Sequence, residues 1–332
     1  MGLNVVEEEN CKEHINIAFV KVHKAGSTTL QNILQRFGHR RNLSFVLSNM
    51  SDTSKPAGMR HYLGYEGTID FKSLLPLPKG RDHFNILSNH VVFNHSVFSH
   101  VMPSSTSYIG IVREPLSQLR STMAYYGYGN NWKLENNETV LTHYLNSPEK
   151  YKVTYLFSRM SYDFGLPQRD VRNMTSIRSF IQDLDKVFKF VLILEYFDES
   201  LVLLKRLLCW TLRDIIYILV NKSNRKIPYA MDDFTKHKNI AVADYEIYSH
   251  FYEKFWQLVS KELNNGFAQE VGYFKNLLQR VLIFCDSGTQ VLRIPNSEWS
   301  NEFSITREDC RLMTLHEVYF IQMLTKKQYL IN

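Results

Sequence analysis

Ile15-Asn16-Ile17-Ala18-Phe19-Val20-Lys21-Val22-His23-Lys24-Ala25-Gly26-Ser27-Thr28-Thr29-Leu30-Gln31-Asn32-Ile33-Leu34-Gln35-Arg36-Phe37-Gly38 is the stretch whose reading decides the fold. Residues 15–22 are apolar and β-branched, which predicts a buried strand. Leu30, Ile33, Leu34 and Phe37 recur at i, i+3, i+4 and i+7, one face of a helix over 27–37, with Gly38 as its expected stop. Between strand and helix lies His23-Lys24-Ala25-Gly26-Ser27-Thr28-Thr29. Gly26 allows close backbone approach, the three hydroxyls add polar contacts, and the first helical amides carry the positive end of the dipole. With Lys24 they form an anion site suited to phosphate or a group like it. The plain alternative is a turn whose Ser and Thr only cap the helix. A Walker loop requires its lysine after the second glycine; here Lys24 precedes the single Gly26, which disfavours NTP hydrolysis.

Moving outward, residues 107–112 read as a second buried strand, followed by Arg113-Glu114-Pro115 and a helix over 116–125 that carries Ser121. Pro115 suits the first helical position. Arg113 at a strand end, with Ser121 two turns into the helix, can hold a second phosphate. Further strands are expected at 84–88 and 188–194 and a helix at 199–209, with Asp198 as its N-cap and Leu201, Leu204 and Leu208 facing the core. Strands alternating with helices imply a mostly parallel sheet flanked by helices, whose ligands bind at the strand C-terminal ends. Residues 40–80 and 126–150 read as long insertions that cover such a site. From about residue 240, Tyr245, Tyr248, Tyr252, Phe255, Trp256 and Val259 suggest a long amphipathic helix in a C-terminal helical annex. Residues 11–332 read as one domain behind a disordered segment, 1–10.

Lys and Arg outnumber Asp and Glu by 39 to 33. That balance suits an anionic ligand, while the absence of a basic block speaks against nucleic acid. No apolar run reaches membrane-spanning length, and the first ten residues lack the pattern of a signal peptide. Cys11, Cys209, Cys285 and Cys310 are too dispersed for a zinc site and permit two disulfides in three pairings. Sequons occur at Asn42, Asn49, Asn94, Asn137, Asn173 and Asn221, which hints at a secretory route, with Asn94 expected near the site.

The two anion-binding turns resemble the 5′-phosphosulfate and 3′-phosphate motifs of carbohydrate sulfotransferases. The chain is most similar to the galactose-3-O-sulfotransferase group, which includes the galactosylceramide sulfotransferases. That group's "LKTHKTASST…NILFRFG" resembles Val20 to Gly38, and its "NIICNHMRF" resembles Asn85 to Phe93. Its "EYFDESLVLLK.LLCW" resembles Glu195 to Trp210 almost letter for letter. The resemblance runs from Cys11 to about Met313 and thins after Trp210. Ala25-Gly26 stands where Thr-Ala is usual, Glu114 where Asp is usual, and the type II anchor of the group does not appear.

The resemblance implies a P-loop-like sulfotransferase fold and transfer of a sulfuryl group from 3′-phosphoadenosine 5′-phosphosulfate (PAPS) without a metal. It implies as acceptor the 3-hydroxyl of a terminal β-galactose on a glycolipid or glycan. It further implies a Golgi-lumenal protein, cysteines at shared positions and, as an added expectation, a homodimer. The donor would lie on His23, Lys24, Ala25, Gly26, Ser27, Thr28 and Thr29, with Arg113 and Ser121 on its 3′-phosphate. Lys24 would neutralise the leaving phosphate. A histidine would serve as base, its ordinary pKa lying near neutrality. His90, just after the strand at 84–88, is the first candidate; His23 is the second and could also be a donor ligand or a prop; His95 is the third. Glu195 would orient a histidine, bind sugar or pair a lysine. The competing readings are a uronosyl 2-O-sulfotransferase, a kinase, and a catalytically silent nucleotide- or glycan-binding relative.

Overall fold

Ile17–Val20 forms β1, with all four side chains buried. In chain order the other strands of its sheet are β2 (Ile86–Leu87), β3 (Ser107–Val112) and β4 (Phe188–Ile193). They pair in the order β2-β1-β3-β4, every pair parallel. The fold is that of a computed structural model describing residues 11–134, 138–151, 156–219 and 227–329. The segment 1–10 and the sequons at Asn137 and Asn221 lie outside the described residues.

The sheet is flanked by helices, as the alternating pattern required. The first helices are α1 (Ser27–Arg40), α2 (His95–Val101), α3 (Pro115–Tyr126), α4 (Val140–Asn146), α5 (Arg159–Asp163) and α6 (Met174–Val187). They are followed by α7 (Phe197–Leu208), α8 (Leu212–Ile215), α9 (Asp233–Ile240), α10 (Val242–Glu262) and α11 (Phe267–Asp286). A short antiparallel hairpin, β5 (Val291–Ile294) and β6 (Phe303–Thr306), precedes α12 (Arg307–Thr314) and α13 (Glu317–Tyr329). The C-terminal annex is therefore not wholly helical. Its helices share one apolar core with the sheet: Phe251, Phe255, Phe274 and Phe320 are buried in the same cluster as Ile17, Phe19 and Ile109.

Leu30, Ile33, Leu34 and Phe37 are all fully buried, so the helical period of α1 does what it foretold. Each contributes roughly 1.5–3 kcal/mol on burial. Gly38 does not stop the helix, which runs on to Arg40. It is instead a contact point, since a Cβ there would lie 2.5 Å from Phe45 Cζ. Pro115 opens α3 as expected, and Glu114 is the N-cap, its carboxylate accepting from the Leu116 and Ser117 amides. In α7, Leu201, Leu204 and Leu208 are buried as expected. Asp198 lies inside the first turn, however, and accepts from the Tyr217 hydroxyl at 2.8 Å rather than capping. The core face of α10 is Ile247, Phe251, Phe255 and Val259, one step round from the Tyr248–Tyr252–Trp256 stripe, of which Trp256 is 37% exposed.

Two disulfides join Cys11 to Cys209 and Cys285 to Cys310. Among the described residues no helix is long and apolar enough to cross a membrane.

Candidate active site

The chain leaves β1 to build β2 on one side and then β3 on the other, so the strand order reverses around β1. Parallel α/β sheets bind ligands at such a switch point, outside the strand C-terminal ends. His23 and Lys24 follow β1, His90 follows β2 and Arg113 follows β3, so all four sequence candidates converge on this edge.

The loop after β1 is tightly wound. Lys24 has φ 58° and Gly26 φ 73°, both in the left-handed region. A side chain is strained there, and such strain persists where surrounding contacts impose it. The contacts are specific. Arg113 Nη1 donates to the Lys24 carbonyl at 3.1 Å, and Gln118 Nε2 donates to the His23 carbonyl at 2.6 Å. Ser27 Oγ donates to the Val22 carbonyl at 2.7 Å, so its proton staples the loop and is not offered to a ligand. Thr28 is exposed and Thr29 half-buried at the start of α1, whose N-cap residue Gly26 makes no side-chain capping bond and whose first turn carries no acid. The Thr29 amide closes onto the Gly26 carbonyl at 3.1 Å, and the start of α1 before it, with the positive end of its dipole, faces an anion.

Lys24 Nζ sits 3.6 Å from the centroid of the Tyr125 ring. Burial, and secondarily the charge of Arg113, lowers its pKa from the ordinary lysine value to about 8. Two cations with depressed basicity in one crevice want a counter-charge. Arg113 is likewise lowered, by burial that Glu195 and Glu114 only partly oppose. Ser121 lies half-buried on α3.

Behind the loop is a group that no periodicity announced. Asp163, at the end of α5, accepts from the His23 backbone amide at 2.8 Å and lies 2.9 Å from His23 Nδ1. Arg159 Nη2, one turn earlier, pairs with Asp163 at 2.8 Å and lies 3.1 Å from the same Nδ1. Burial would raise the Asp163 carboxyl, but Arg159 and His23 outweigh it and hold it below the ordinary aspartate range. Burial lowers His23 despite Asp163, so its ring is neutral at rest. The i,i+4 spacing of Arg159 and Asp163 was visible in the sequence; that the pair meets His23 was not.

His90 stacks on His23 with centroids 4.1 Å apart, and Tyr62 leans on its other side at 4.6 Å. His90 lies well below the ordinary histidine value, through burial first and then the charges of Lys21 and its histidine neighbours. Its Nδ1 has no hydrogen-bond partner among the described residues. These rings, with Gly64, Glu66, Val91, Val92, Arg159 and Asp163, line a narrow cleft. The insertion 40–80 supplies cover, as expected, through Tyr62, Gly64 and Glu66, whereas the other residues around the site, Tyr125, Arg159 and Asp163, belong to α3 and α5 and lie outside 126–150.

Two candidates stand elsewhere. His95 packs on Tyr108, near the starting end of β3, and Asn94 caps α2 beside it, so both lie away from the edge where the other candidates meet. Among the described residues Glu195 neither orients a histidine nor pairs a lysine; it accepts from the Glu114 amide at 2.9 Å and from the Tyr248 hydroxyl at 3.4 Å, bracing the turn after β3.

Below the cleft, Lys21 is completely buried and pairs with Glu317 of α13 at 2.5 Å. His61 lies 3.6 Å from the same carboxylate oxygen.

Comparison with known proteins gives this arrangement a context. The family model described as Galactose-3-O-sulfotransferase matches residues 1–298. Mouse galactose-3-O-sulfotransferase 2 is 31% identical over 284 residues, covering 81% of this chain and 69% of the relative. Human galactosylceramide sulfotransferase is 30% identical over 289 residues, covering 84% and 66%. Human galactose-3-O-sulfotransferase 3 is 31% identical over 298 residues, covering 85% and 65%. The chain thus spans about two thirds of the length of these relatives. Because the family match runs unbroken through the loop after β1, the His90 segment and the Arg113 turn, the chain belongs to the galactose-3-O-sulfotransferase family.

Proposed function

We propose that the chain transfers a sulfuryl group from PAPS to the 3-hydroxyl of a terminal β-galactose on a glycolipid or glycan, on a P-loop-like sulfotransferase fold. The observation that carries this reading is the convergence of Lys24, the uncapped start of α1 and Arg113 beside the His23–Asp163 pair, at the switch point of a parallel sheet. Family membership and the printed names of the relatives supply the acceptor class.

The residues fit a phosphosulfate donor. Lys24 and the first-turn amides of α1 hold the 5′ end, and Arg113, with Ser121, holds the 3′-phosphate. As the acceptor oxygen bonds to sulfur, the bond from sulfur to the phosphate oxygen breaks, and Lys24 neutralises the charge arriving on that phosphate. The acceptor proton goes to His23. This second candidate is preferred over His90 because Asp163 stabilises the imidazolium that forms, as the aspartate does in other His–Asp pairs. His90 lacks such a partner and is surrounded by groups that oppose its charge; its role is to face the acceptor. The chemistry calls for no metal, since Lys24, Arg113 and the helix amides supply the positive charge.

Two disulfides suit an oxidising compartment, and we place the protein in the Golgi lumen, held there by a membrane anchor, with a homodimer as its assembly. The test is incubation of the purified chain with sulfur-labelled PAPS and a panel of galactosylceramide, lactose, N-acetyllactosamine, core-1 disaccharide and a heparan precursor, beside Lys24→Ala. Label on a galactoside that disappears in Lys24→Ala supports the reading. Donor binding with no labelled acceptor contradicts it.

A further inference from the structure

The cleft beside His23 and His90 is closed on one side by the loop Gly64–Thr68, which is held from several directions. The Leu63 amide donates to the His90 carbonyl at 2.9 Å, and the Val92 amide donates to the Gly67 carbonyl at 2.9 Å. The Asp70 amide closes the loop onto the Leu63 carbonyl at 2.9 Å. The Tyr162 hydroxyl, from α5, donates to the Glu66 carbonyl at 2.6 Å. Gly64 has no room for a side chain, because a Cβ would lie 2.1 Å from the Thr68 carbonyl oxygen. At the tip Glu66 adopts φ 47°, a conformation that a side-chain-bearing residue takes at a cost.

What this scaffold presents is a carboxylate. Glu66 is exposed, lines the cleft with His23, His90 and Arg159, and makes no ion pair or side-chain hydrogen bond among the described residues. Such a group has no use for the donor. PAPS is a polyanion, and its proposed seat is built from Lys24, Arg113 and helix amides, so a carboxylate there would repel it. The second substrate is a neutral sugar rich in hydroxyl donors. A carboxylate accepts two such hydrogen bonds, and charge makes each stronger than its neutral counterpart. An acidic sugar would meet the same carboxylate as a like charge.

We infer that Glu66 is an acceptor-recognition residue, accepting hydroxyl hydrogen bonds from a neutral sugar and excluding uronic acids from the cleft. This rests on the sulfuryl-transfer reading above and deepens it, because it separates a galactoside acceptor from a uronosyl one.

The experiment is steady-state transfer by the full chain, wild type beside Glu66→Gln, Glu66→Ala, Glu66→Gly and Glu66→Lys, with lactose or galactosylceramide and with a uronate-terminated oligosaccharide. Glu66→Gly keeps the backbone in a conformation glycine adopts freely, so it tests the carboxylate without a folding penalty. We expect Glu66→Gln, Glu66→Ala and Glu66→Gly to raise the galactoside KM about tenfold, with the PAPS KM within about twofold of wild type. Glu66→Lys should shift the preference toward the uronate. Galactoside KM values within about twofold of wild type in all the neutral variants overturn the role of Glu66 and leave the transfer reading standing. A wild type that binds PAPS but labels no galactoside overturns both.

Discussion

Asp163 holds His23 at two points, accepting from its backbone amide at 2.8 Å and lying 2.9 Å from its Nδ1. One carboxylate therefore sets both the path of the loop and the orientation of the ring. Asp163→Asn retains an oxygen for the amide but removes the charge that stabilises the imidazolium. We expect kcat to fall by about 10²-fold or more, with the PAPS KM nearly unchanged because Arg113 and Gln118 still hold the loop. A kcat at the wild-type level in steady-state assays would remove His23 from the role of base.

Lys24 sets the pH range of donor binding. Its pKa of about 8, lowered by burial and then by Arg113, keeps it mainly charged at neutrality and neutral in alkali. PAPS affinity, measured by titration calorimetry, should be level below about pH 7 and fall by up to about tenfold per unit above pH 8. Lys24→Arg should flatten that fall, since a guanidinium does not titrate there. Lys24→Gly should bind PAPS poorly yet be more stable by about 1 kcal/mol in denaturant unfolding, because glycine relieves the strain at φ 58°.

Glu317 carries a prediction about stability. Burial lowers Lys21 from the ordinary lysine value, with Glu317 opposing. Burial acts to raise Glu317, but the charges of Lys21 and His61 outweigh it and leave the carboxyl below its ordinary value. The Glu317 carboxyl is therefore ionised at neutrality. Glu317→Ala leaves the completely buried Lys21 amine without its carboxylate partner and should cost about 3–5 kcal/mol. The double variant Lys21→Met with Glu317→Met should recover most of that. Since the Glu317 pKa is depressed on folding, its contribution is present above the unfolded value and lost as pH falls through the folded one. Denaturant unfolding of the wild type and the two variants would show it, and equal losses in the single and double variants would contradict the pairing.

Asp244, at the start of α10, accepts the Ser161 amide at 2.8 Å and the Met160 amide at 3.3 Å, and so steadies the short helix that carries Arg159 and Asp163. Burial raises its pKa to about 6. A raised acid adds stability that is full below its unfolded value and lost as pH climbs through the folded one. Wild-type stability should thus carry a loss between about pH 4 and 6 that Asp244→Asn lacks. Asp244→Asn should be more stable at pH 7 by about 1–2 kcal/mol, as read by denaturant unfolding. A variant with the wild-type pH profile would sink this account.

The sequence by itself determined the four strands of the parallel sheet but not the β5–β6 hairpin, and it determined the buried faces of α1 and α7, the start of α3, and the edge where His23, Lys24, His90 and Arg113 meet. These follow from local rules: side-chain period, turn chemistry, and the polarity of a helix start. It did not determine that Gly38 is a packing contact, because Phe45 reaches it only in the folded chain. Nor did it show that Asp198 answers Tyr217, or that Glu195 braces a turn. The groups that tune the site were equally silent: Asp163 reaches His23 across 140 residues, and Asp244 reaches Ser161 across 83. Pairings at such separations leave no periodic trace in the chain. Only the tertiary structure, by closing the sheet and laying α5, α10 and α13 against its edge, decides which buried charges meet, and burial is what makes their meeting matter.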